Sequence, residues 1–248
     1  MANIEGKVVI VTGGAQGMGK SHCEVLAAGG AKVIVADIVE DKGAALAAAI
    51  GDNARFVRLD VTEAESWGAA VASAEQAFGP VTGLVNNAGI GYPVALDDLT
   101  EQEYRRFIDV NQVSIFLGIK AVVPSMRRRS GGGASIVNIS STAGLRAIAN
   151  AFAYVATKFA VTGMSKAAAL DLGPEGIRVN SVHPGTIGDT GMVAANAEYI
   201  KPVIAKTPLR RVAELGEVSS LIEYLISDDS GYCTGSEFVV DGGVICLH

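Results

Sequence analysis

The stretch Lys7-Val8-Val9-Ile10-Val11-Thr12-Gly13-Gly14-Ala15-Gln16-Gly17-Met18-Gly19 decides the fold. Val8 to Val11 form an unbroken apolar, β-branched run, as expected of a strand covered on both faces in a parallel sheet. Glycines at 13, 17 and 19 follow at once and lead into a stretch, 17–29, that reads as a helix. A strand handed by a glycine turn to a helix N-terminus makes a phosphate site. The turn lets backbone approach the ligand, and the first helical N–H groups face it. The spacing is G-x-x-x-G-x-G rather than G-x-G-x-x-G, so strand before and helix after carry the reading.

The same alternation continues to the end of the chain. Strands are predicted at 7–12, 32–36, 55–59, 83–86, 135–140, 178–182 and 237–240, and helices at 17–29, 41–50, 63–78, 101–129, 153–173 and 214–227. Strand and helix in steady succession imply right-handed crossovers and one α/β fold, a Rossmann-type, doubly wound, seven-stranded parallel sheet. No linker or repeat interrupts it, so residues 1–248 form a single domain. Hydrophobic residues at 49% against 19% charged suit the large interior of such a sheet. One segment, 184–209, breaks the rhythm with Gly185, Gly188, Gly191, Pro202 and Pro208. An irregular segment of that length in a compact domain is expected to be a substrate lid.

Composition excludes several function classes. A formal charge of −6 and no basic stripe argue against nucleic acid. Arg127-Arg128-Arg129 reads as a solvated helix end that suits the macrodipole. No apolar run approaches the roughly 20 residues of a membrane span, and no membrane partner is expected. Met1 to Lys7 lacks a basic region followed by an apolar one, which predicts a cytoplasmic protein. Cys23, Cys233 and Cys246, with His22, His183 and His248, show no ligand spacing, so no metal site is expected.

Asp37 closes the second strand, eighteen residues past Gly19. A carboxylate there accepts hydrogen bonds from adenosine ribose hydroxyls and repels a 2′-phosphate. Neither Ile38 beside it nor Gln16 in the glycine turn supplies a positive charge, so NAD is favoured over NADP. Capping the following helix is the competing role for Asp37. Asp60-Val61 and Asn86-Asn87-Ala88-Gly89 follow the third and fourth strands, at the sheet end where open α/β folds bind ligands.

After the fifth strand stand Ser140 and Ser141; Tyr154 comes thirteen residues beyond Ser141, and Lys158 four further on. A spacing of four puts Tyr154 and Lys158 on one helix face. A phenol with a pKa of about 10 is a poor base at neutral pH. A neighbouring ammonium stabilises the phenolate and brings it toward the working range, while Ser141 is placed to hold a substrate oxygen.

With these motifs the chain resembles the short-chain dehydrogenase/reductase family in its compact, single-domain form, from about residue 7 to 243. The resemblance rests on Thr12 to Gly19, Asp60, Asn86 to Gly89, Asn111, Ser141, Tyr154, Lys158 and Pro184-Gly185. It implies that Tyr154 gives or takes the proton, Ser141 positions the carbonyl, and Lys158 binds the nicotinamide ribose and tunes Tyr154. It also implies that Asn111 anchors a water in a proton relay. The implied cofactor contacts start with Gly13, Gln16, Gly17, Met18 and Gly19 and continue with Asp37, Ile38, Asp60 and Val61. Asn87, Ala88, Gly89, Tyr154, Lys158, Pro184, Gly185, Thr186 and Ile187 complete them. The family has a threonine shortly after Pro-Gly that touches the carboxamide. Here Thr186 and Thr190 are both candidates, because the segment reads Pro184-Gly185-Thr186-Ile187-Gly188-Asp189-Thr190.

The expected substrate wall is Gly91, Tyr92, Ala147, Ala149, Asn150, Ala151 and Phe152, with Met192, Val193 and Tyr199 from the lid. It is apolar with few fixed charges and suits a hydrophobic secondary alcohol or ketone. Residues 136–141 and 179–185 look most like bacterial NAD-linked hydroxysteroid dehydrogenases of the 3α/20β type. A 3-oxoacyl-carrier-protein reductase is the alternative, opposed by Asp37 and the acidic charge. A catalytically silent NAD-binding regulator is a remote one, opposed by the complete Asn111, Ser141, Tyr154 and Lys158 set. Members of this type are commonly homotetramers. That would pair helices 101–129 and 153–173 across one two-fold and place 238–248 at another.

Overall fold

Strand β1 (Val8–Thr12) is buried at all five positions, as its unbroken apolar run requires. It pairs in parallel with β2 (Lys32–Asp37) on one side, Val9 opposite Val33, and with β4 (Gly83–Asn86) on the other, Val9 opposite Gly83. With β3 (Ala54–Arg58), β5 (Ala134–Ile139), β6 (Ile177–Pro184) and β7 (Glu237–Val240), the sheet order is β3-β2-β1-β4-β5-β6-β7. The order reverses between β1 and β4, so the chain leaves those two strands in opposite directions and opens a crevice at their C-terminal ends. The structure is a computed structural model that describes residues 3–128, 133–188 and 197–246, without the side chains of 197–199.

Alternate residues of each strand face opposite layers. Val9, Val11, Val33 and Val35 pack with Leu26 of α1 (Gly17–Ala28), Leu46 of α2 (Glu40–Ile50) and Ile222 of α8 (Leu215–Ile226). Ile10, Ile34, Leu84 and Ile136 pack with Trp67 of α3 (Ala64–Phe78), Val122 of α5 (Ser114–Arg127) and Leu172 of α6 (Phe152–Leu172). Each such side chain stabilises the fold by about 1.5–3 kcal/mol relative to exposure. Those two apolar layers hold the crevice rigid from both sides.

Two expectations need correction. The stretch 101–129 is not one regular helix. It is α4 (Glu101–Ile108), a π turn over Asp109–Val113, and α5. The start is set by a capping box: Glu103 N–H donates to Thr100 Oγ1 at 3.2 Å, and Thr100 N–H donates to Glu103 Oε2 at 3.1 Å. Taken together, Glu101–Arg127 is apolar and long enough to cross a membrane by length and composition alone, which the absence of a long apolar run had seemed to exclude. Its buried residues, among them Phe107, Ile115 and Val122, instead pack it as a layer of this domain. The segment 184–209 is not wholly irregular either, since it contains α7 (Ala197–Lys206). Pro202 lies inside that helix and reads in sequence as a breaker. The other element ends agree to within a few residues.

Candidate active site

The glycine turn is built so tightly that side chains are excluded. Gly13 and Gly17 take φ of +63° and +55°, where glycine carries no steric cost. A Cβ on Gly19 would lie 2.0 Å from Gly13 O, and one on Gly13 would lie 3.0 Å from Ala88 Cα. Thr12 Oγ1 accepts from the Asn87 and Ala88 N–H groups at 2.9 and 3.0 Å. Asn87 Nδ2 donates to Thr12 O at 2.9 Å and Gly13 O at 3.3 Å. The turn after β1 and the loop after β4 are thereby clamped face to face. Gln16, at the N-cap of α1, makes no side-chain cap, which leaves the first-turn N–H groups for a ligand. Met18 packs its side chain on the core and offers only backbone to that site. Asn87 Oδ1 is buried without a partner, a costly state that a ligand donor relieves. These are the groups that could hold the pyrophosphate of a dinucleotide.

Asp37 is buried, and it does more than the sequence suggested. Its Oδ2 accepts from Ala15 N–H and its Oδ1 from Val39 N–H, each at 3.0 Å, so one carboxylate ties the glycine turn to the β2–α2 connection. It does not cap the following helix, whose N-cap is Val39 with no side-chain cap. Each oxygen keeps a second lone pair, so ribose recognition is compatible with these bonds. Ile38 is exposed beside it. A cation that sequence reasoning missed reaches this region from α2: Lys42 Nζ donates to Gln16 Oε1 at 3.1 Å. Asp60 Oδ1 accepts from Thr62 N–H at 3.0 Å and Thr62 Oγ1 at 2.7 Å, which holds its carboxyl below the usual range. Val61 is buried and its carbonyl accepts from Trp67 Nε1 at 3.0 Å. Both residues shape the turn at the end of β3.

Ser141, Tyr154 and Lys158 come together as expected. Ser141 follows β5 and its Oγ accepts from Ala143 N–H at 3.1 Å. Tyr154 lines one cavity with Ser141. Burial pushes the phenol above its ordinary range, and the neighbouring Ser141 side chain opposes that shift. The expected lowering by Lys158 is not what governs Tyr154 here. Lys158 lies with its Nζ 5.6 Å from the Tyr154 ring centre and donates to Ile139 O at 2.8 Å. Its own pKa is brought down by burial to about 8. Asn111 sits in the π turn, a distortion that recurs at functional sites. Its side chain is engaged by protein: Oδ1 accepts from Ile90 N–H at 2.8 Å, and Nδ2 donates to Ile90 O at 2.9 Å and Thr157 Oγ1 at 3.3 Å.

His183, which shows no metal-ligand spacing in the sequence, has a structural role and positions Ser141. Its Nδ1 lies 3.0 Å from Ser141 O and its Nε2 2.9 Å from Ser181 Oγ. A carbonyl oxygen only accepts, so Nδ1 carries the proton and Nε2 accepts from the serine. Burial lowers its pKa and keeps the ring neutral.

Ser141 and Tyr154 line a cavity of about 210 Å³ together with Gly91, Tyr92 and Ala151 of the expected wall. Ala147, Asn150 and Phe152 instead line a neighbouring surface groove, because Asn150, at φ +55°, turns the chain into α6 there. Ala149 is exposed. Met192, Val193 and Thr190 lie outside the described residues, as does the Tyr199 side chain. Thr186 lines the cavity, whereas Ile187 is core, and a Cβ on Gly185 would lie 2.8 Å from Asp241 Cα. Pro184 ends β6 and Gly89 sits 3.2 Å, measured from an added Cβ, from Asn111 Oδ1. Sequence reasoning missed Arg146 and Ile148, Ile200 and Val203 of α7, and Val244. The signal for Arg146 was its being the one charged residue between Ser141 and Lys158.

Among known proteins, the family model described as Enoyl-(Acyl carrier protein) reductase, a short-chain dehydrogenase model, matches residues 13–245. The chain belongs to the short-chain dehydrogenase/reductase family. It is 50% identical over 240 residues to a 3-alpha-(or 20-beta)-hydroxysteroid dehydrogenase of Mycobacterium tuberculosis, covering 97% of this chain and 90% of that one. It is 47% identical to a trans-4-hydroxycyclohexanecarboxylate dehydrogenase of Sinomonas cyclohexanicum, covering 96% and 92%. Against a cyclopentanol dehydrogenase of Comamonas testosteroni, identity is 42%, with 98% of each chain covered.

Proposed function

We propose that this member of the family is an NAD-dependent dehydrogenase that interconverts a compact cyclic secondary alcohol and its ketone. The observation that carries the reading is that Ser141 and Tyr154 line one apolar-walled cavity, with Lys158 one turn along the same helix. When bound in the cradle, the nicotinamide dinucleotide supplies the hydride acceptor or donor. The residues do the rest. Ser141 and Tyr154 hold the substrate oxygen; on reduction the Tyr154 hydroxyl gives that oxygen its proton, and on oxidation the Tyr154 phenolate takes the proton from the alcohol. Burial raises the phenol and favours its protonated form, and the Lys158 ammonium on the same helix stabilises the phenolate that oxidation needs. Asp37 supports NAD over NADP by placing a negative charge beside the adenosine ribose.

The cavity is smaller than the roughly 300–1,000 Å³ of sites for drug-sized ligands, which favours a single ring. The named activities of two relatives at 47% and 42% identity are consistent with that. The 50% identity to a hydroxysteroid dehydrogenase supports a multi-ring alcohol as the second reading. Half-exposed Phe116 and Phe159 on α5 and α6 support pairing of these helices in a homotetramer, and α7 supports a cover over the cavity. Nicotinamide absorbance followed with NAD and NADP over cyclic alcohols, steroids and acetoacetyl thioesters tests the reading. Turnover of cyclic alcohols with NAD is expected. Turnover confined to NADPH and thioesters would replace it with the acyl-carrier-protein reductase.

A further inference from the structure

We infer that the substrate of this cavity is a hydroxy acid, whose carboxylate is held by Arg146 while its alcohol meets Ser141 and Tyr154. The inference rests on the dehydrogenase reading above and specifies its substrate class.

Arg146 lines the same cavity as Ser141 and Tyr154 and is the one formally charged residue in the described lining, which otherwise offers tyrosine, hydroxyl and apolar side chains. Among the described residues its guanidinium makes one hydrogen bond, from Nη1 to Val244 O at 3.1 Å. Its Nε is buried and has no partner. A guanidinium has five N–H donors in a planar fork and cannot discard its charge, so a buried N–H left without an acceptor is an unfavourable state. Proteins balance such a charge with a carboxylate, yet no Asp or Glu is among the described residues that line this cavity.

The geometry of the missing partner follows from the donors. The bond to Val244 fixes the guanidinium plane against the backbone of the C-terminal turn. The terminal Nη1 and Nη2 N–H groups that this bond leaves free offer a planar anion a two-point match, as arginine offers a carboxylate. A neutral carbonyl satisfies one donor and none of the charge. A purely structural role, tying Val244 in place, uses Nη1 and leaves the Nη2 donors without an acceptor among the described residues.

The size of the cavity adds a limit. A volume of about 210 Å³ leaves space for one ring between a cation and the two hydroxyls, and a ring bearing an alcohol and a carboxylate meets both polar ends. The apolar remainder of the wall, Ile148, Ile200 and Val203 among it, suits the ring itself.

The test compares 4-hydroxycyclohexanecarboxylate, its methyl ester and cyclohexanol as substrates with NAD, in the wild type, Arg146→Gln and Arg146→Lys. The wild type should favour the acid over the ester by at least about tenfold in kcat/KM. Arg146→Gln should lose about 10²-fold on the acid, mostly as a raised KM, and stay within about threefold on cyclohexanol. Arg146→Lys should recover part of the loss, since it restores charge without the fork. Equal use of acid and ester by the wild type, or an equal fall on all three substrates in Arg146→Gln, would overturn the inference. Calorimetric binding of cyclohexanecarboxylate to the wild type separates the two readings. Binding without turnover of any substrate sinks the dehydrogenase reading and supports the carboxylate site, whereas no binding sinks the carboxylate site whatever the turnover of neutral alcohols.

Discussion

One added methyl group at residue 19 tests how the cofactor cradle is built. In Gly19→Ala the new Cβ would lie 2.0 Å from Gly13 O and 2.7 Å from Asn87 Nδ2, whereas real Cβ contacts under 3.0 Å are essentially unknown. The start of α1 must then retreat by about 1 Å, and the Asn87–Gly13 bond at 3.3 Å is lost in the process. Overpacking of this kind costs about 1–3 kcal/mol, and the better helix propensity of alanine returns at most about 1 kcal/mol. A net destabilisation of about 1–2 kcal/mol is expected in urea unfolding. The effect on binding is larger. First-turn N–H groups displaced by that distance lose roughly one charge-assisted hydrogen bond to pyrophosphate, about 2–3 kcal/mol or 10²-fold in NAD affinity by calorimetry. Gly68→Ala is the control. Gly68 is exposed in α3 with nothing within 4 Å of an added Cβ, so it should gain about 0.5–1 kcal/mol and leave NAD binding unchanged. Gly19→Ala binding NAD as the wild type does would refute the placement of the pyrophosphate at α1.

Asp37→Ser removes a negative charge beside the ribose and one of two acceptors for the Ala15 and Val39 N–H groups. It should lower the ratio of NAD to NADP efficiency by about 10²-fold and cost about 1–2 kcal/mol of stability; an unchanged ratio would show that Asp37 is only a turn tie. His22 is buried with Nδ1 2.8 Å from Ser219 Oγ, and burial lowers its pKa from 6.5 to about 3. Between those values the unfolded chain binds a proton that the folded chain refuses, so this stability is present above pH 6.5 and is lost as pH falls. The loss should reach about 2–3 kcal/mol between pH 7 and 4.5. His22→Asn keeps a donor and acceptor near Ser219 and should flatten that part of the urea-midpoint profile; identical pH slopes in both proteins would contradict the assignment.

Much of this is legible in the sequence, for physical reasons. The β1 run and the glycine turn are local patterns, because burial on both faces and a positive φ leave their mark on adjacent residues. Tyr154 and Lys158 share a helix face by spacing alone. What was not legible depends on contacts distant in sequence. Asp37 at the end of β2 reaches Ala15 in the turn after β1, and His183 reaches the Ser141 carbonyl from another strand. The π turn around Asn111 has no periodicity of its own, and Pro202 hid α7 behind a rule that holds for most helices. Arg146 was visible as a charge in an apolar stretch, yet only the folded chain shows it lining the cavity with a buried, unpartnered N–H.

The central claim is that Tyr154 moves the proton. The most direct measurement is Tyr154→Phe, assayed for NAD-linked oxidation of a cyclic secondary alcohol beside a calorimetric NAD titration of the same protein. Removing one hydroxyl leaves the ring in the wall and the cradle untouched, so NAD affinity should stay within about threefold while kcat falls by about 10²–10⁴-fold. A variant that binds NAD and still turns over at the wild-type rate would contradict the account.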